Sequence, residues 1–282
     1  MSASLITDAR SFLFVPGNRP ERFDKALGSP ADMVIVDLED AVPAANKAAA
    51  RVALASVWQQ WPTTQRARVV VRINATQTDC HQDDLAWLAQ LPGLPAVMLP
   101  KAENPSDMTG LQDVLGEAAT ALIPIIESAE GLANVDALAR SPRVLRLAFG
   151  NLDFQADLGM ACGADEAELA PVRVAIVVAS RRAGLTAPID GVTTDTQDMV
   201  RVQTDAARSL RFGFGAKLCI HPLQVPAVHT AFAPTATQID WAQRVLQAEA
   251  AAGGGAFTVD GRMVDPPVLK LARHCLAMAR II

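Results

Sequence analysis

Residues 33–61 read MVIVDLEDAVPAANKAAARVALASVWQQW. The stretch opens on an apolar, β-branched run, Met33 to Leu38, short and continuous in the manner of a strand buried on both faces. Acidic residues and Pro43 then break the pattern. From Lys47 to Trp61 apolar residues recur at helical spacing in an Ala-rich background, as an amphipathic helix requires. A buried strand, a polar turn and a helix together make one unit of a parallel sheet.

The same alternation returns on either side of this unit. Runs at Ser11 to Val15, Val69 to Ile73, Ala96 to Leu99, Leu122 to Ile126, Val144 to Phe149, Ala187 to Asp190 and Lys217 to Ile220 bring the expected strands to eight. Helical periods fill the intervals at Pro20 to Leu27, Asp83 to Leu91, Ser106 to Leu115, Gly131 to Arg140, Leu169 to Ala183 and Asp198 to Leu210. A chain of 282 residues allows about 35 per unit, which suits an α/β fold of the (β/α)8 TIM barrel kind. A doubly wound open sheet is the alternative, but the first strand leads into VPGNRPERF rather than G-x-G-x-x-G, so a dinucleotide site has no support.

After the eighth strand the chain continues with a helical segment near Gln238 to Ala252, a Gly253-Gly254-Gly255 hinge, the hairpin-like AFTVDGRMVD and a last helix, Pro267 to Ala279. The expected organisation is a catalytic barrel over 1–235 and a C-terminal helical arm over 236–282, a lid or an element that packs on a neighbouring subunit.

Charge narrows the function classes. The net formal charge is −5 with 5% aromatics and no Tyr, and no Lys/Arg run is long enough to make the basic stripe of a nucleic-acid binder or an anionic-membrane partner. Cys80, Cys162, Cys219 and Cys275 form no C-x-x-C pair, which fits a reducing compartment rather than a disulfide framework or zinc knuckle. The opening MSASLITDAR lacks the basic-then-apolar order of a signal peptide, and no apolar run approaches the roughly 18 residues of a membrane span, so a cytoplasmic location is expected.

Barrel enzymes carry their chemistry on the loops after the strands, and here those positions are polar. Strand two ends Asp37-Leu38-Glu39-Asp40, strand three Arg72-Ile73-Asn74, strand four Pro100-Lys101 and strand five Glu127-Ser128. Strand six runs through Gly150 to Asp153, strand seven ends at Asp190, and strand eight runs into His221-Pro222. Glu127 and Asp153, ending adjacent strands, should converge at the barrel mouth. Two carboxylates with room for water and substrate oxygens suit Mg²⁺, although ion pairs at a barrel rim use the same residues. His81, His221, His229 and His274 show no zinc-ligand spacing, and His221 before Pro222 is as easily structural.

Arg72 carries a fork for a carboxylate or a developing alkoxide; a salt bridge to Glu39 or Asp40 is the competing use, and those two acids fit an orienting role. Lys101 and Lys217 could each serve a Schiff-base aldolase or stand paired with a carboxylate. Arg19, Arg22 and Lys25 surround a helix start that could receive phosphate groups, or simply line a surface loop.

The assembled strings FLFVPGNRPERFDKAL, VIVDLEDAV, VVVRINA, VMLPKAE, LIPIIESAEGL, LAFGNLDFQADLG, KLCIHP and DGRMVDPPVLKLA resemble, in order and nearly end to end, the citrate lyase β-subunit-like proteins of the HpcH/HpaI aldolase superfamily. That group includes citramalyl-CoA, malyl-CoA and citryl-CoA lyases. The resemblance implies a Mg²⁺-dependent (β/α)8 barrel, a homotrimer or hexamer, that makes or breaks the bond between an acetyl-CoA unit and a 2-oxo acid. It implies Glu127 and Asp153 as metal ligands, Glu127 also touching substrate, and Arg72 as the catalytic, substrate-binding arginine. Phe14, where the family often has Tyr, with Lys25 and Arg22, falls where the first loop holds the coenzyme, and the backbone at Leu218 and Cys219 lines the same site. Asp265 matches an acid/base aspartate that the arm inserts into a neighbouring active site. The alternatives are the β-subunit of a citrate lyase acting on an acyl-carrier-protein thioester, and a non-catalytic barrel that binds acyl-CoA.

Overall fold

The computed structural model describes residues 2–116, 118–252 and 256–280, and the chain divides into two compact units, Met1–Ala231 and Phe232–Ile282. The first is a closed barrel of eight strands. They are β1 Ser11–Pro16, β2 Met33–Asp37, β3 Val69–Arg72, β4 Ala96–Leu99, β5 Ala121–Ile126, β6 Ala148–Phe149, β7 Ile189–Asp190 and β8 Ala216–Cys219. Each is parallel to the next and β8 closes on β1 through Ser11 opposite Lys217 and Leu13 opposite Cys219. The expected (β/α)8 architecture is therefore the one observed.

Alternation along the strands builds the core. Phe12, Met33, Ile35, Met98, Ile123 and Ile125 belong to one buried cluster that fills the barrel, with Phe14 packed against it. The intervening Leu13, Val34, Val36, Val97 and Leu122 point the other way and are equally buried, because helices cover the outer face. That is why the strands read as continuous apolar runs rather than alternating ones. The helix Lys47–Trp58 shows how it is done: its buried residues are Ala50, Arg51, Leu54 and Trp58, one face at helical spacing. Arg51 on that face is neutralised by Asp84 at 2.8 Å.

The floor of the barrel is closed from the amino-terminal side. A helix Ser2–Asp8, hidden in the unremarkable MSASLITD, places Ile6 in the core cluster. Arg146, 1% exposed, ties it down by donating through Nη1 to the carbonyls of Ile6 and Ala9, while Nε donates to Ala187 O at 2.8 Å. Its guanidinium lies 5.4 Å from the Phe12 ring centroid.

Three local expectations are corrected. The sixth strand is only Ala148–Phe149; Val144 makes just an isolated bridge to Leu122. The helix expected over Gly131 to Arg140 is two short ones, Ala129–Ala133 and Val135–Ala139, broken at Asn134, whose side chain donates instead to Glu103 O and Glu130 Oε1. Asp153 does not end a strand: it lies in the first turn of the helix Asn151–Leu158.

The second unit pairs the helices Ala236–Ala252 and Pro266–Arg280 around Ala242, Val245, Val264, Leu269 and Ala272. A hairpin, β9 Phe257–Val259 with β10 Arg262–Val264, turns at Asp260 and Gly261, both at positive φ (50° and 74°), as a two-residue hairpin loop demands. Asp265 follows β10 and begins the last helix, its Oδ1 accepting from Val268 N at 3.2 Å. The hinge expected at Gly253 to Gly255 lies outside the described residues. No described helix is long and apolar enough to cross a membrane.

Candidate active site

The carboxyl ends of the strands surround a cavity of about 400 Å³, lined among others by Phe14, Arg72, Glu127, Asp153 and Leu218. Five of the residues singled out from the sequence thus meet in one place. Arg22, ending the 3-10 helix Pro20–Arg22, and Lys25, in the short helix Phe23–Leu27, stand exposed after β1, outside that lining. Cys219 is fully buried behind it, where burial pushes its thiol up to about 12.

Arg72 closes β3 and points at the mouth. Its Nε and Nη2 each donate to Asp37, both at 2.7 Å. Nη1 lies 2.9 Å from Glu39 Oε2, whereas Asp40 is 3.9 Å away and largely exposed. Asp37 is thus the principal partner, a role the sequence reading gave to Glu39 or Asp40. Its last-in-strand position, directly beside Arg72 in the β2–β3 register, was the available signal. Asp37 also accepts from Glu39 N at 2.9 Å and Ala41 N at 3.0 Å, so its carboxylate is saturated and cannot swing. The guanidinium rests on the Phe14 ring, 4.8 Å from the centroid. Burial works against the charge on Arg72, but Asp37 and Glu39 outweigh it and raise its pKa further.

Glu127 follows β5 and is 4% exposed. Its Oε1 accepts from Lys101 N at 2.6 Å. Burial first, and the negative charges of Glu39 and Asp153 next, push its carboxyl up to about 8. Gly150 makes room for it: a Cβ there would stand 2.2 Å from Glu127 Oε2. Burial likewise raises the pKa of Glu39, against the pull of Arg72 and Lys101.

These are the marks of a site crowded with buried negative charge. Asp37, Asp40, Glu127 and Asp153 line the cavity with Arg72 as its one cation among the described lining residues, and Arg72 is already committed to Asp37 and Glu39. The described residues contain no group of three or more His, Cys, Asp or Glu arranged around one point. A pair of carboxylates with open positions fits a hard divalent ion such as Mg²⁺, which keeps water or substrate oxygens in its remaining places, and does not fit zinc.

Neither lysine considered for Schiff-base chemistry lines the cavity. Lys101 Nζ donates to Glu39 Oε1 at 2.8 Å; burial would lower its pKa, but Glu39, Asp40 and Glu127 raise it, so the amine stays protonated. Lys217, within β8, is buried, and its Nζ donates to Gly191 O at 2.6 Å. His221 is a loop residue, its Nδ1 accepting from Leu223 N at 3.2 Å. In the first loop Arg19 pairs with Glu21. Asp190 belongs to a buried lattice with Arg173 and Ser209.

A barrel with this constellation at its carboxyl-terminal mouth belongs to a known class. Residues 10–222 match the model of the HpcH/HpaI aldolase/citrate lyase family, and the chain belongs to that family. It is 37% identical over 277 residues to a citrate lyase subunit beta-like protein of Deinococcus radiodurans, covering 95% of this chain and 96% of that one. It is 32% identical to the mitochondrial citramalyl-CoA lyase of Rattus norvegicus, over 96% of this chain and 86% of the relative. Among solved structures, the CitE protein of Mycobacterium tuberculosis in complex with magnesium, acetoacetate and coenzyme A superposes with a TM-score of 0.85 at 36% identity, covering 97% and 99% of the two chains.

Proposed function

We propose that this protein is a Mg²⁺-dependent carbon-carbon lyase that cleaves, or in reverse forms, a 3-hydroxyacyl-CoA such as citramalyl-CoA or malyl-CoA, giving acetyl-CoA and a 2-oxo acid. The observation that carries it is the meeting of Glu127, Asp153 and the clamped Arg72 on one cavity. Relatives named as citramalyl-CoA lyase and a relative's structure holding magnesium and coenzyme A support the same reading.

In cleavage the substrate's 3-hydroxyl gives its proton to solvent water, the oxygen's electron pair becomes the new carbonyl, and the bond to the acetyl carbon breaks. Its electrons pass into the thioester as an enolate, which is then protonated at carbon. Charge thus develops first on the oxygen of the nascent oxo acid and then on the thioester. Mg²⁺ held by Glu127 and Asp153 supplies Lewis-acid charge that lowers the pKa of the hydroxyl. Arg72 faces the same oxygen with a guanidinium that Asp37 and Glu39 hold in place, so little reorganisation is needed as charge appears. Phe14 supports the underside of Arg72.

Asp265 is the residue we assign to proton exchange on the acetyl carbon, as acid in cleavage and base in condensation. It is delivered by the arm, residues 236–282, of a neighbouring chain in a homotrimer. Lys25 and Arg22, exposed after β1, hold the coenzyme's phosphates, and the backbone at Leu218 and Cys219 lines its path.

The test is release of acetyl-CoA from citramalyl-CoA, malyl-CoA and citryl-CoA, each with Mg²⁺ and then with EDTA. Metal-dependent cleavage of one thioester establishes the activity and names the oxo acid. Cleavage of none refutes the free-thioester reading in favour of a carrier-protein substrate or a binding role.

A further inference from the structure

Lys101 is a strand-end cation that the reaction above leaves without a task. It stands at the end of β4 with φ of 47°, the left-handed region that residues with side chains rarely occupy and that tends to persist where surrounding structure demands it. The torsion φ turns about the N–Cα bond, and so fixes the angle between a residue's N–H and its side chain. At this value one residue reaches two carboxylates. Its N–H donates to Glu127 Oε1 at 2.6 Å and its Nζ to Glu39 Oε1 at 2.8 Å. The second oxygen of Glu39 lies 2.9 Å from Arg72 Nη1. A path of two hydrogen bonds and one ion-pair contact therefore runs from the carboxylate after β5, through a single residue after β4, to the guanidinium at the end of β3.

We propose that Lys101 is a positioning residue that couples Glu127 to Arg72 by way of Glu39, holding the carboxylate and the guanidinium at a fixed relative placement. The inference rests on the lyase reading for its consequence in turnover, but its geometric content stands apart from that reading. It also gives the two lysine contacts different duties: the main-chain N–H holds Glu127, which the Met and Arg variants at 101 keep, whereas Nζ steers Glu39 and hence Arg72.

The test is a cycle of Lys101→Met, Glu39→Gln and the double variant in the full chain, with Lys101→Arg as the conservative control. Three quantities are read: kcat and KM with saturating Mg²⁺, the Kd for Mg²⁺ by calorimetry without substrate, and solvent exchange of the Arg72 side-chain N–H groups by NMR in the ligand-free protein. Each single change should lower kcat about tenfold with KM within about threefold, Lys101→Met should keep the Mg²⁺ Kd within about threefold, and the double variant should be no worse in kcat than the poorer single. Lys101→Arg should recover most of kcat, and Arg72 exchange should quicken alike in both singles and in the double. Losses that multiply, a Lys101→Met enzyme with full kcat, or Mg²⁺ affinity falling in step with kcat in Lys101→Met would overturn the coupling. If the wild type cleaves no thioester, the lyase reading falls and the exchange measurement alone judges Lys101, unchanged Arg72 exchange being the refuting result.

Discussion

Mg²⁺ binding to this protein should be steeply pH-dependent below pH 8. Burial and the neighbouring charges of Glu39 and Asp153 hold the Glu127 carboxyl at about 8, against an ordinary value of 4.5. A metal accepts only the carboxylate, so the proton must leave as the ion enters. At pH 6 about one molecule in a hundred has Glu127 ionised and at pH 8 about half, so the observed affinity should rise about 50-fold between them and then level off. Calorimetry in two buffers of different ionisation enthalpy counts the protons: about one released per ion at pH 6, falling towards zero above pH 9. Glu127→Gln should weaken the metal and abolish the slope together. The same shift acts on the metal-free fold. Because the folded protein binds this proton more tightly than the unfolded chain, the stabilisation is complete below pH 4.5 and is lost as pH rises through about 8, where added Mg²⁺ should restore it. A Kd constant within about threefold from pH 6 to 8, with no proton released, would refute the argument that crowded negative charge, not the pair alone, defines this site.

Further predictions concern other parts of the molecule. Gly150→Ala would put a methyl group 2.2 Å from Glu127 Oε2 and should abolish Mg²⁺ binding in calorimetry while the circular dichroism of the barrel persists. Asp265→Ala should remove most thioester turnover with Mg²⁺ affinity unchanged, and removal of residues 254–282 should leave a folded barrel without turnover; retained activity in either contradicts a catalytic arm. Arg146→Met deletes the donors to Ile6, Ala9 and Ala187 carbonyls and should cost about 2–4 kcal/mol, read from the urea midpoint at constant slope.

How much of this the sequence disclosed follows from the physics of each element. β2, β3 and β4 were legible almost to the residue because strands covered on both faces leave uninterrupted β-branched runs. β6 and β7 were not, because two paired residues each leave no period to read. Glu127 could be found from its place after a clear strand. Asp153 was legible too, but on the wrong kind of element: Gly150 leads from β6 straight into the helix Asn151–Leu158, with no intervening loop to mark the change. The acid that holds Arg72 was misjudged for a different reason. Asp37, Glu39 and Asp40 are interchangeable as text, and only register, which seats Asp37 opposite Arg72, separates them. The duty of Lys101 depends on one positive φ that nothing in PKAE advertises.

The Arg146 anchor and the Arg72 clamp occupy opposite ends of the same cylinder and have no residue in common. Substitutions that retune the mouth therefore spend none of the cohesion that keeps the ring closed. Such a separation lets a lineage of these barrels change the mouth while the foundation stays untouched, and it offers an engineer the same freedom.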